Sequence, residues 1–337
     1  MLRASMGFGP MSSEAIEAVF SYSHQRERPL MLVTSKNQID YGGGYVNNWN
    51  TKQYAEYLDQ MRRRYPAGDV TVCRDHCGPG FNGRLDLEDT YRTIEVDIEA
   101  RFQLIHIDFC HQHDGKAQQM AASKKAIQHC LQLNPSVMLE VGTDDTNCSG
   151  IPVSMRELRE EVAFFRDICE PTFYVVNTGA LVKEMRQVGA FNKGFALEVA
   201  ESLRPLGIRL KEHQGDYLAS EELKERHGIV DAMNVAPQLG AVQTSAVLHE
   251  CLRHGIEADD FIAEVFAGNK WRKWMLHSAL PDPRYCARVA GHYHFASDTY
   301  KRLLDRLAAV TDIRKIILDA LDGVIERYDS AIATDRQ

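Results

Sequence analysis

The chain has 337 residues, 44% of them hydrophobic and 26% charged, proportions at which a globular protein buries a core without disulfide staples. Its formal net charge is −8 and its longest basic run is Arg62-Arg63-Arg64, so no field draws in a phosphodiester backbone and nucleic acid is not an expected partner. A small anion is still compatible, because a few local cations and backbone N–H groups suffice for one phosphate. No apolar stretch approaches the roughly 20 residues that span a bilayer. No secretory apolar region follows Met1, and eight cysteines are scattered through apparent core segments, so the expectation is a cytoplasmic protein with reduced thiols.

In chain order, short runs rich in Val, Ile, Leu and aromatic residues read as strands at 29–35, 70–74, 104–109, 137–141, 173–176, 208–212 and 233–236, with an eighth placed at 286–294. Helical spacing fills the intervals. Tyr54, Leu58 and Met61 share one face, as do Leu87, Tyr91, Ile94 and Ile98. Ser154 is placed to cap a helix carrying Met155, Leu158, Val162, Phe165 and Ile168, and Gly255 to end one carrying Val247, Leu248, Cys251 and Leu252. Ile316, Ile317, Leu321 and Val324 mark a last helix from Ile313, expected to pack on the main domain or on a partner subunit.

Repeated β-α units in one uninterrupted run predict an α/β chain folded as a (β/α)8 TIM barrel over 1–312, with a C-terminal helical extension over 313–337. The first strand is followed by no GxGxxG, which argues against a dinucleotide fold. Lys270-Trp271-Arg272-Lys273-Trp274 has the cations and rings to hold a sugar phosphate, but tryptophans at helical spacing read first as packing. Cys73 and Cys77 lack the second pair that a closed zinc site requires, so Cys73 is read as a small core residue.

In such a barrel the chemistry collects past the C-terminal ends of the strands. Those ends carry Asp75-His76, then His106, Asp108, Cys110, His111 and His113, then Glu140, Asp144 and Asp145, then Glu212-His213-Gln214-Gly215-Asp216. Imidazoles and carboxylates on adjacent strand ends suit a borderline cation such as zinc, with three protein ligands and one open position. The His111-Gln112-His113-Asp114 stretch reads equally as a polar rim loop. The glycines of Tyr41-Gly42-Gly43-Gly44-Tyr45 allow a close approach of backbone N–H groups to an anion, or simply a loop.

These motifs, in this order, give the chain a family likeness: Asn37-Gln38 with Gly43-Gly44-Tyr45, Asp75-His76-Cys77-Gly78-Pro79, His106-Ile107-Asp108, Gly142-Thr143-Asp144, His213 to Tyr217, and Pro283-Arg284-Tyr285. The chain resembles the accessory, non-catalytic (Z-type) subunits of class II D-tagatose-bisphosphate aldolase, as a divergent member, over residues 16–307. The resemblance implies a class II aldolase-like barrel with a divalent metal, zinc by the donor set. Asp75 takes the place of the catalytic acid/base, and His76 and His213 of metal ligands. Asp144 stands where the family has Glu, which leaves Glu140 as the alternative ligand.

The first functional reading is therefore (retro-)aldol chemistry on a ketose or ketose phosphate, in which Asp75 moves the proton of the hydroxyl on the carbon that becomes an aldehyde. Asn37, Gln38, Gly43, Gly44, Asp108 and Asn234 are the candidate substrate-binding residues. The same site permits a sugar or sugar-phosphate 4-epimerase by cleavage and re-addition. A third reading, a silent subunit that stabilises a true aldolase, leaves the polar strand ends unexplained. Apolar positions on the outer helices suggest a homo-oligomer.

Overall fold

The computed structural model of the protein describes residues 2–112, 115–143, 154–276 and 281–333. Eight parallel strands close into a barrel: β1 (Met6–Phe8), β2 (Leu30–Ser35), β3 (Val70–Cys77), β4 (Leu104–Ile107), β5 (Met138–Thr143), β6 (Phe173–Val176), β9 (Arg209–Glu212) and β10 (Ala232–Val235). β7 (Val182–Lys183) and β8 (Arg186–Gln187) form a small antiparallel hairpin outside it. The (β/α)8 TIM-barrel expectation holds, and seven of the expected strands fall where they were placed to within a few residues.

The eighth does not. Residues 286–294 are helical, in a helix Pro283–Ala290 that runs into a tight turn Gly291–His294. Asp282 caps that helix by accepting the Arg284 and Tyr285 N–H groups, and Pro283 supplies the fixed φ of a first helical residue. The strand that closes the barrel is β1, three residues long, pairing β10 on one side and β2 on the other. Its central Gly7 is required by space: a Cβ there would stand 2.5 Å from Asn234 Oδ1 and 2.7 Å from Val33 Cγ1.

Strand alternation sorts the barrel interior into two layers. Ala4, Met31, Val33, Cys73, Leu104, Phe173 and Ala232 form an apolar plug in its lower part. One step further along the same strands the residues turn polar: Asp75 follows Cys73, His106 follows Leu104, Glu140 follows Met138 and Asn234 follows Ala232. The main apolar core lies outside the barrel, between strands and helices. Trp271 belongs to it, stacked 5.3 Å from Phe266 with its Nε1–H on the Phe266 carbonyl, which supports the packing reading of that segment.

A fully buried charge pair sits in that outer layer. Arg74 of β3 and Asp97 of the helix Leu87–Glu99 are both sealed from water and meet through two hydrogen bonds of 2.6 and 2.7 Å. The remaining guanidinium nitrogen donates to the Thr34 and Ile39 carbonyls, so the pair also fixes the end of β2 and the loop after it. The last helix, Ile313–Ala333, packs on the helices Ser13–Arg26 and Pro237–His254. Its Asp329 pairs with Arg28 and accepts a hydrogen bond from Tyr22. Its Tyr328 hydroxyl lies 2.8 Å from both the Gly215 carbonyl and Gln238 Oε1 and accepts the Leu218 N–H.

Cys73, Cys77, Cys130, Cys169, Cys251 and Cys286 are unbridged thiols, as expected, but Cys110, in the rim loop after β4, is disulfide-bonded. The expectation of an entirely reduced set is therefore corrected at that position, a buried residue in the turn after β4. His113, Asp114, Asp144, Asp145 and Cys148 lie outside the described residues.

Removing one member of a buried, hydrogen-bonded ion pair strands the other. Asp97→Ala is expected to lower the free energy of unfolding by about 3–5 kcal/mol in a denaturant titration. Arg74→Met with Asp97→Leu should cost less than the sum of the two single changes; equal, additive losses would show that the pair is not coupled.

Candidate active site

The polar layer gathers at the mouth of the barrel. Asp75, His76, His106 and His213 each offer one ligand atom, and these four atoms lie within 4.8 Å of one another. The two outermost imidazoles are held alike. His76 Nδ1 is 2.8 Å from Asp108 Oδ2, and His213 Nε2 is 2.5 Å from Glu140 Oε1. Each carboxylate engages one ring nitrogen and turns the other toward the neighbouring ring, so that His76 Nε2 and His213 Nδ1 stand 3.1 Å apart. Asp75 Oδ1 lies 3.3 Å from the same His213 nitrogen.

Those separations suit a shared cation. Two nitrogens bound to one tetrahedral zinc at its ordinary bond lengths stand about 3.3 Å apart. The carboxylate–histidine pairs are the arrangement that fixes a ligating imidazole in one tautomer. The donor set of imidazoles and a carboxylate is that of a borderline divalent ion.

Backbone geometry at the site is held against its own preference. His76 has φ +45°, in the left-handed region that a side chain other than glycine's rarely adopts. Its N–H donates to His106 Nδ1 at 3.2 Å, while His106 Nε2 lies 2.9 Å from the Gly142 carbonyl. Gly142 has φ +91°, and a Cβ there would stand 2.3 Å from the Val175 carbonyl oxygen, so only glycine presents that carbonyl to His106. Phe81 stacks on His76 with ring centroids 4.7 Å apart.

Charge is balanced inside the layer. Glu140 Oε2 is 2.7 Å from Lys211 Nζ, and both side chains are about 1% exposed. Burial alone would raise the Glu140 pKa, but the Lys211 charge and His213 hold it far below the usual carboxylate range. Asp75 is held ionised in the same way: burial opposes its charge, and His76, His213 and His106 around it outweigh that. Burial pushes His106 toward its neutral form, consistent with its bonds to two backbone groups. Asp108 also stays below its usual range against burial, through His76, and takes further hydrogen bonds from Thr143 Oγ1 and the Cys110 N–H.

The sequence-derived residues divide in two. Asp75, His76, His213, Glu140 and Asp108 come together, and Asn234 faces the same lumen, opposite His213 on the next strand by the register of β9 with β10. Asn234 is buried, and among the described residues neither of its amide atoms has a hydrogen-bond partner. Asn37, Gln38, Gly43 and Gly44 instead build the loop after β2. Asn37 Nδ2 donates to the Phe81 carbonyl, Gln38 Oε1 accepts the Ser35 N–H, and the Gly43 N–H is bonded to the Asp40 carbonyl. Gly44 packs on the Gln38 backbone. Asp144 lies outside the described residues.

Sequence reasoning noted His106 as a strand-end residue without giving it a role, and it passed over Lys211. The alternation Leu104, His106, Asp108 and Arg209, Lys211, His213 was the available signal, because a lysine at an inward position of a barrel strand requires a buried counter-charge.

No family model matches the sequence, and no curated protein matches it. Solved structures do. A protein described as a probable tagatose 6 phosphate kinase from Sinorhizobium meliloti 1021 superposes with a TM-score of 0.81 at 17% identity, covering 98% of this chain and 100% of that one. The fructose-bisphosphate aldolase of Campylobacter jejuni gives 0.62 at 11% identity, over 97% and 89% of the two chains. The YdjI aldolase of Escherichia coli K12 gives 0.55 at 12% identity, over 93% of each. The chain therefore shares the barrel fold of these proteins. Among the described residues no helix is long and apolar enough to cross a membrane.

The rim loops around the site are anchored by one carboxylate. Asp89 accepts from Lys36 Nζ (2.7 Å) and Asn82 on one oxygen and from the Tyr41 hydroxyl and Arg84 on the other, joining the loops after β2 and β3 to the helix Leu87–Glu99. Burial opposes its charge, but these donors hold its pKa below the usual range. A carboxyl with a lowered folded-state pKa contributes stability that is fully present above its unfolded value of about 3.9 and is lost as pH falls through the folded one. The urea midpoint should therefore fall more steeply between about pH 5 and pH 3 in the wild type than in Asp89→Asn, which starts lower at neutral pH. Parallel curves would show that Asp89 does not carry the acid dependence.

Proposed function

We propose that the protein is a metal-dependent, class II aldolase-like enzyme that makes or breaks a carbon–carbon bond in a ketose or ketose phosphate. The observation that carries this reading is the convergence of His76 Nε2, His213 Nδ1 and Asp75 Oδ1 at the barrel mouth. His76 and His213 would hold a divalent cation, zinc by the donor set, at the cluster they form with Asp75 and His106. When bound, the cation polarises a substrate carbonyl and stabilises the negative charge that develops beside it.

The protein's own groups do the rest. Asp75, held ionised by three imidazoles, accepts the proton of the hydroxyl on the carbon that becomes the aldehyde as the adjacent carbon–carbon bond breaks, and returns it in condensation. The unpaired amide of Asn234 binds a substrate oxygen, whose arrival satisfies a donor and an acceptor already desolvated. Phe81 over His76 restricts water at the reacting face. A non-catalytic accessory role is less well supported, because an interior layer of Asp75, His106, Glu140 and Lys211 costs stability that a scaffold could avoid with apolar residues. A cytoplasmic homo-oligomer is the setting we assign to this activity.

Metal content of the purified protein, with an NMR screen of ketoses and ketose phosphates in the presence and absence of chelator, tests the reading. Near-stoichiometric zinc and chelator-sensitive turnover are expected, and Asp75→Asn should lower kcat by about 10²–10⁴-fold. Release of a triose-sized fragment identifies cleavage, whereas a C4 epimer without fragments identifies the epimerase form of the same chemistry. No bound metal and no turnover with zinc added would overturn the proposal.

A further inference from the structure

We infer that Glu140 and Lys211 are positioning residues that hold His213 in the tautomer presenting Nδ1 to the barrel mouth. The inference deepens the metal reading above and rests on it for its consequence. Glu140 was a candidate ligand by sequence, but both of its oxygens are engaged elsewhere: Oε1 meets His213 Nε2 at 2.5 Å and Oε2 meets Lys211 Nζ at 2.7 Å.

An ionised carboxylate only accepts hydrogen bonds, so the nitrogen that faces it must carry the proton. The other nitrogen of that ring, Nδ1, is then the one available as a donor atom. Lys211 supplies the counter-charge that keeps the carboxylate in its acceptor form, and it has no route to solvent, being 1% exposed with the Phe173 ring 5.0 Å away. Among the described residues, Glu140, Asp75, His76 and the edge-on ring of His106 face His213. Of these, Glu140 makes the shortest contact.

The arrangement is the counterpart of Asp108 on His76, with the ring nitrogens exchanged: Nδ1 is held and Nε2 presented in His76, while Nε2 is held and Nδ1 presented in His213. The two imidazoles come from strands on opposite sides of the barrel mouth with these nitrogens 3.1 Å apart, and two different carboxylates hold them in opposite tautomers. The Lys211–Glu140 pair acts chiefly through His213, which Glu140 meets at 2.5 Å against 3.9 Å for His106.

The test uses the full chain. Zinc affinity is measured by competition with a chromophoric chelator, and the His213 tautomer by long-range ¹⁵N–¹H correlation in metal-free protein, for the wild type, Glu140→Gln, Lys211→Arg and the double variant Glu140→Gln/Lys211→Met. The glutamine amide can donate to Nε2, so Glu140→Gln should shift the ring proton to Nδ1 and weaken zinc binding by about 10–100-fold. Lys211→Arg preserves the ion pair and should keep wild-type affinity. The double variant removes the stranded charge and restores folding if the single change unfolds the protein; its amide, no longer oriented by Lys211, can present either face to Nε2, so the tautomer should become mixed and zinc binding stay weaker than in the wild type. A double variant with wild-type affinity and an Nε2–H ring would overturn the inference and leave the pair a packing feature. If the wild type binds no zinc while Glu140→Gln still moves the proton, the positioning role stands and the metal reading fails.

Discussion

The carboxylate of Glu140 is the constraint on which the interior of this barrel depends. It is shared between a lysine and a histidine that approach from β9, and neither could stand in a sealed lumen without it. The apolar plug beneath makes the arrangement possible. With Met31, Val33, Leu104 and Phe173 filling the lower barrel, water is kept from one side of the polar layer, and its electrostatic contacts gain strength accordingly. The same exclusion makes each unmet group expensive, which explains why almost every member of the layer is doubly bonded and why Asn234, which is not, stands out.

Much of this was legible in the sequence because barrel strands advertise themselves twice, once by their apolar runs and again by the polar residues at their ends. Asp75, His76 and His213 could be placed on one rim from those ends alone. What could not be read was which polar residue meets which. Glu140 and Asp108 are separated from their histidines by 73 and 32 residues, and only the closed barrel brings β5 to β9 and β3 to β4. A carboxylate near a cluster of imidazoles reads as a ligand from sequence, while its real partners are fixed by register. The first strand was missed because three residues with a central glycine carry no periodic signal, and β1 exists through pairing to both neighbours. Residues 286–294 misled in the opposite sense, since Val, Ala and aromatic residues there belong to a helix announced by Asp282-Pro283.

The loop after β2 shows how a motif can belong to a site without touching its centre. Asn37, Gln38 and the glycines that follow bond to one another, to Phe81 and to the end of β2. Through Phe81 the loop supports the ring that stacks on His76. Asp89 binds this loop and the next to the same helix that carries Asp97, the partner of Arg74. Rim and scaffold are thus joined through two buried ion pairs set at different heights on one helix.

Tyr328 ties the site to an element far from it in sequence. Its hydroxyl supports the Gly215 carbonyl, two residues beyond His213, and Gln238 at the start of the next helix, while Asp329 beside it secures Tyr22 and Arg28 near the other end of the chain. The rim segment beyond β9 is thus held by a helix 113 residues further along the sequence. A change on that helix therefore reaches the mouth of the barrel without touching any strand that lines it.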